Sequence, residues 1–159
     1  MAIQNQRKLL YYTDEYIMFG MMFLLGNKLQ ALGDNFYEEF TSKQWFVLIM
    51  LKVFDEPPTI NELSDAMGSS HQNVKQLVLK LESKGYLELY TDKLDKRKTR
   101  IKLTKKVAEI ADKYRKQENE FMKQLYQGID KDKLRTTLET LLQFEKNMEV
   151  IRDEYSRSI

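Results

Sequence analysis

Gln72, Asn73, Lys75, Gln76 and Lys80 crowd into one short stretch of the chain. A Gln or Asn amide pairs bidentately with N6 and N7 of adenine, and Lys reaches guanine or phosphate. Between them Val74, Leu77, Val78 and Leu81 recur at i, i+3, i+4 and i+7, which predicts a helix with that stripe buried and the polar residues outside. No Asp or Glu lies between Ser69 and Leu81, although a solvated helix face usually mixes both signs. Ser69, Ser70 and the free amides at the helix start suit phosphate oxygens. His71 reads equally well as a cap or as a DNA contact. Leu79 lies about 140° from Val74 on the helix and reads as an exposed leucine.

The second chemical feature follows directly. Residues 86–106 read YLELYTDKLDKRKTRIKLTKK, two alternating apolar and polar runs around a charged loop. Leu87 and Leu89 oppose Tyr86, Glu88 and Tyr90; Ile101 and Leu103 oppose Arg100, Lys102 and Thr104. That period predicts a half-buried β-hairpin. From Thr91 to Lys106 eight Lys or Arg face two Asp, a net of +6 in a chain whose total is only +2. The concentration of positive charge on one protruding hairpin, with Lys96, Arg97, Lys98 and Arg100 in its second half, is the footprint of a phosphate-binding element.

The elements that must carry these groups are legible upstream. In TINELSDAMG, residues 59–68, Thr59 and Glu62 have capping-box spacing, and Gly68 supplies a left-handed stop. Ser69 and Gln72 repeat that spacing for the next helix, which ends at Lys84-Gly85. Two capped helices joined by a glycine turn make a helix-turn-helix, and with the hairpin a winged helix. Its second helix enters the major groove while the hairpin tip reaches the adjacent minor groove.

Residues 41–104 resemble the winged-helix core of the MarR family of bacterial transcription regulators. The motifs are TINELSDAMG, SSHQNVKQLVLKLESKGYL and DKLDKRKTRIKLT. The family's L-E-x-K-G-[LFY]-[ILV] segment is matched from Leu81 to Leu87, its D-x-R by Asp95-Lys96-Arg97, and its closing L-T by Leu103-Thr104. The resemblance implies that Arg97 enters the minor groove and that Asp95 orients it or a neighbouring cation. Two positions depart: Leu89 stands where members often have Arg, and Val107 where many have Gly. Loss of that Arg is expected to weaken anchoring of the wing.

Length and composition bound the rest. At 159 residues the chain reads as a single domain, 1–159. With no Cys, disulfides, thiol switches and Cys-ligated metals are excluded, and a single His argues against a zinc site. No cofactor is expected. The opening MAIQNQRKLL has no secretory pattern. The longest apolar stretch, residues 16–25, is half the ~20 residues a membrane span needs, so a cytoplasmic protein with no membrane partner is expected.

The flanks point to a second chain. Residues 12–32 predict a helix apolar nearly all round from 16 to 25, more than a lone winged helix can cover. Residues 41–54 predict another helix with Thr41 and Gln44 as capping box, ended by Pro57-Pro58. After the hairpin a helix over 105–127 breaks at Gly128. The last begins at Asp130, with Leu134, Leu138, Leu141, Phe144, Met148, Ile151 and Tyr155 as a narrow apolar seam. Joint use of the first and last helices in a homodimer is the expectation, which the resemblance also implies.

The fold expected is therefore mainly α with a small β-hairpin wing. A winged helix-turn-helix core, 41–104, is flanked by dimerisation helices in 1–40 and 105–159. The function expected is a homodimeric DNA-binding regulator of transcription, a repressor relieved by a ligand that the resemblance implies is small and often aromatic. Its partner is an A·T-rich inverted repeat in double-stranded DNA. Met18, Met21, Met22, Trp45 and Met50 suit either a ligand pocket or plain core, so no ligand residue is assigned. The alternative is a winged-helix module that binds another regulator instead of DNA. An enzyme is not expected: there is no phosphate loop, nucleophile elbow or metal-ligand cluster.

Overall fold

The computed structural model describes residues 12–157; the opening segment read above for a leader lies outside them. The helices are α1 (Asp14–Gly33), α2 (Ser42–Met50), α3 (Ile60–Ala66) and α4 (His71–Ser83). Strands β1 (Leu87–Thr91) and β2 (Thr99–Leu103) come next, then α5 (Lys105–Leu125) and α6 (Lys131–Arg157). The strands form a two-stranded antiparallel sheet with Leu87 opposite Leu103 and Thr91 opposite Thr99. The contacts divide the chain into two compact units that meet at Ile110 and Ala111, inside α5.

The first unit holds the core. Val47 and Leu48 of α2, Leu63 of α3, and Val74, Val78 and Leu81 of α4 are buried together with Leu87 and Ile101 of the hairpin. Each such side chain contributes roughly 1.5–3 kcal/mol by leaving water. Val107 from the start of α5 is buried in the same cluster, and Leu89 is half-buried against it. Both departures from the family pattern are thus apolar residues filling the core.

Local signals set the helix boundaries. Thr41 Oγ1 accepts from Gln44 N–H while Gln44 Oε1 accepts from Thr41 N–H, at 3.4 and 3.1 Å. Thr59 and Glu62 do the same at 3.3 and 2.7 Å. The cap of α4 differs from the expected one. Ser70, not Ser69, is the N-cap, and its Oγ accepts from Asn73 N–H. Ser69 belongs to the turn before it, where its N–H donates to Ser64 O. Gly68 and Gly85 close α3 and α4 with φ of +57° and +77°.

Tyr86 also differs. The alternation put it on the outer side of the hairpin, but it precedes β1 and is buried edge-on to Phe40. Its peptide is tied at both ends: Tyr86 N–H donates to Leu81 O, and Tyr86 O accepts from Thr104 N–H. Strand alternation does not govern a residue still in the turn.

The joint between α1 and α2 is close-packed. Ser42 Oγ donates to Gln30 O at 3.1 Å and to Asp34 Oδ1, which also accepts from Ser42 N–H at 2.9 Å. A Cβ on Gly33 would lie 2.7 Å from Ser42 Cβ. α1 itself buries no residue, and Tyr16, Phe19, Phe23 and Leu32 are all exposed.

In the second unit Asp130 caps α6, its Oδ1 accepting from Asp132 and Lys133 N–H at 3.0 and 3.2 Å. Gly128, with φ +78°, supplies the preceding turn. The seam of α6 lies in the open: Leu134, Leu138, Leu141, Met148, Ile151 and Tyr155 are exposed, and Phe144 is half-buried.

Gly33→Ala should destabilise the chain by roughly 1–3 kcal/mol, because the new methyl must push α1 and α2 apart. Chemical denaturation of the two proteins measures this; equal midpoints would show that the joint yields freely.

Candidate nucleic-acid interface

The outer face of α4 presents the polar residues together. Gln72, Asn73, Lys75, Gln76 and Lys80 are all exposed, while Val74, Val78 and Leu81 hold the opposite face in the core. His71 is the first helical residue and is exposed; Ser70 is engaged as the cap, and Ser69 is half-buried in the turn. Leu79 is exposed, as its angle on the helix required. The face carries no acidic side chain from His71 to Leu81. An anion approaching it meets amides, two Lys side chains and the start of a helix.

The wing loop, residues 92–98, is built on two carboxylates. Asp92 Oδ1 accepts from the N–H groups of Leu94 and Asp95 at 2.7 and 3.0 Å, which folds the loop back on itself. Asp92 N–H donates to Lys98 O, and Lys98 N–H donates to Asp95 O, both at 2.9 Å. Asp95 Oδ1 accepts from the N–H and the Nε of Arg97, each at 3.1 Å. Arg97 nevertheless remains 91% exposed, so the pair aims the guanidinium without covering it. This ion pair is the partnership that the D-x-R resemblance implied for Asp95. Leu94, at the same tip, is fully exposed.

The eight cations of this stretch are not equivalent. Lys93, Lys96, Arg97 and Lys98 line the exposed loop. Lys102 pairs with Glu88 across the strands at 3.1 Å. Lys106 is exposed but folded back on the surface, donating to Lys84 O at 2.7 Å and lying over the Tyr86 ring. Arg100 is turned inward. Its Nε pairs with Asp92 Oδ2, its Nη1 donates to Pro57 O at 2.7 Å, and the same nitrogen lies 3.9 Å from Glu62. Sequence alternation placed Arg100 outside with Lys102. Asp92 and the Pro57 carbonyl, which no local sequence signal marks, draw it back.

That contact alters the expectation drawn from Leu89. The wing is anchored through Arg100, through Ile101 N–H donating to Pro58 O at 2.9 Å, and through a β-bridge between Thr59 and Arg100. Among the described residues no cluster of His, Cys, Asp or Glu is placed to hold a metal, and no helix is long and apolar enough to cross a membrane.

Electrostatics follow the geometry. Arg100 holds the Asp92 carboxyl far below its ordinary value, with help from the Asp95 and Leu94 amides, and Asp92 in turn raises Arg100. Arg97 lowers Asp95, and the Thr59 amide lowers Glu62. The loop carboxylates are therefore ionised throughout the neutral range.

A capped helix-turn-helix followed by an anchored cationic hairpin defines a winged helix-turn-helix. Residues 39–98, the winged-helix segment, match the family model described as MarR family. No curated protein matches the sequence. Solved structures give the fold beyond the matched segment. A MarR/EmrR family transcriptional regulator from Acinetobacter sp. ADP1 superposes with a TM-score of 0.75 at 21% identity, over 87% of this chain and 99% of that one. MepR of S. aureus, solved as a complex with DNA, gives 0.69 at 19% identity, over 86% and 98%. PcaV of Streptomyces coelicolor, solved with its natural ligand, gives 0.67 at 16% identity, over 79% and 89%. The fold is that of the MarR-family transcriptional regulators.

The lowered value of Asp92 sets a pH dependence. A carboxyl whose folded value is depressed stabilises the fold fully above its ordinary value of about 3.9, and that stabilisation is lost only as pH falls through the folded value. Amide-exchange protection at Leu94 and Asp95 should therefore be the same at pH 7 and near pH ~4, after correction for intrinsic exchange. Protection vanishing between those values would show that Asp92 is not held by Arg100.

Proposed function

We propose that this chain is a homodimeric, sequence-specific DNA-binding regulator of transcription. The carrying observation is that α4 and the wing share one core, with an acid-free amide and lysine face on the helix and Lys93, Lys96, Arg97 and Lys98 on the loop. In this reading Gln72, Asn73 and Gln76 face adenine edges in the major groove. Ser69, Ser70, His71, Lys75 and Lys80 face the phosphates beside them. Lys96 and Lys98 follow the backbone, and Arg97, aimed by Asp95, enters the flanking minor groove, where narrow A·T-rich tracts favour it. Arg100 is left out of contact with DNA, because its guanidinium is engaged inward. The DNA complex of MepR supports the reading.

The dimer reading rests on the two apolar helices. A helix hydrophobic on most faces does not remain in water, yet α1 buries nothing and the α6 seam lies exposed. A second copy would bury both. Two recognition helices related by a two-fold axis read an inverted repeat with half-site centres about 10 bp apart. The ligand-bound structure of PcaV supports control by a ligand, read here as relief of repression by a small aromatic molecule. Such a molecule acts only through different affinities for the two states. Transcription regulation inside the cytoplasm, without catalysis, completes the reading. The alternative of a protein-binding winged helix rested on Leu89, whose packing against the core gives that departure a structural reason.

Fluorescence anisotropy with a duplex selected from random DNA should show log affinity falling linearly with log salt. Arg97→Ala should cost about 1–3 kcal/mol at unchanged fold, and Lys98→Ala should weaken all sequences alike. Light scattering should give twice the chain mass of 19.0 kDa. A wild-type chain that selects no duplex sinks the DNA reading; a stable monomer sinks the dimer.

A further inference from the structure

Arg100 joins three parts of the fold at once. It pairs with Asp92 in the wing, donates to Pro57 O in the segment entering α3, and lies beside Glu62 of the α3 capping box. Its partners continue the chain of contacts in both directions. Glu62 caps the Thr59 amide at 2.7 Å. Asp92 fixes the amides of Leu94 and Asp95, and Asp95 fixes the Arg97 side chain. The path runs unbroken from the start of the helix-turn-helix to the guanidinium at the wing tip.

We infer that Arg100 and Asp92 form a latch that positions Arg97 for its groove contact, so that an acidic residue in the wing strengthens DNA binding. The inference rests on the DNA-binding reading above. A flexible two-stranded hairpin would carry Arg97 through many orientations and lose affinity in ordering it on the DNA. The latch removes that freedom before binding. Lys at position 100 cannot replace it, since the Arg fork serves Asp92 and Pro57 O with different nitrogens.

Charge and position predict opposite results for one substitution. Asp92→Asn makes the wing more positive by one, which by charge alone tightens binding to a polyanion. The latch predicts weaker binding instead, by an amount approaching the roughly 5- to 100-fold loss expected for Arg97→Ala. Arg100→Gln should weaken binding similarly and leave the slope of log affinity against log salt unchanged, because no phosphate contact is lost. A direct phosphate contact would reduce that slope by about 1. Arg100→Lys should fail to rescue, and adding Arg97→Ala to Arg100→Gln should cost little more.

The test uses the full chain, a duplex selected from random DNA by the wild type, and anisotropy over a salt series. Amide exchange without DNA runs in parallel. Faster exchange at Leu94 and Asp95 in Asp92→Asn and Arg100→Gln, with Val74, Val78 and Leu81 unchanged, is expected and shows that the variants fold. Equal or tighter binding by Asp92→Asn, or full rescue by Arg100→Lys, overturns the latch and spares the DNA reading. A wild type that binds no duplex overturns the DNA reading, and unchanged exchange at Leu94 and Asp95 would then overturn the latch independently.

Discussion

A two-stranded hairpin is at best marginally stable in water. This chain mounts much of its positive charge on one. The function of the molecule therefore depends on how β1 and β2 are held to the rest. Leu87 and Ile101 are buried in the core and Leu89 and Leu103 are packed against it, which gives the hairpin an apolar foundation. Pro58 O and Pro57 O then accept from Ile101 N–H and Arg100 Nη1, so the strand nearest α3 behaves as an edge that has found a partner. Without these contacts the cations would sit on a freely moving loop.

The same core fixes the helix. Val74, Val78 and Leu81 lock the rotation of α4 about its axis, and that rotation decides which residues face outward. A rotation of α4 would carry the half-buried Leu77 outward and displace the amides. Gly68 and Gly85 hold the ends of the helices in the left-handed region, which an L side chain enters only at a cost. The geometry of the interface thus follows from packing decisions made on its far side.

Much of this was legible in the sequence, because the signals are local and periodic. The stripe of α4, both capping boxes at Thr41 and Thr59 and the glycine stops depend on neighbours a few residues away, and the structure bears each of them out. The misjudged positions depend on distant partners. Strand parity places Arg100 outside, yet a carbonyl 43 residues earlier and the Asp92 carboxylate draw it in. Tyr86 was assigned by parity although it lies before the strand begins. Ser69 and Ser70 offer the same chemistry one residue apart, and only the φ of Gly68 and the turn that follows select Ser70.

In the proposed function a helix and a wing address adjacent grooves of one duplex. Hydroxyl-radical footprinting of the full chain on a duplex selected from random DNA reads both at once, since backbone protection marks each groove entered. The account predicts two protected segments whose centres lie about one helical turn apart, each flanked by minor-groove protection that disappears in Arg97→Ala while the central protection remains. Protection confined to a single groove, or flanking protection indifferent to Arg97, would contradict it.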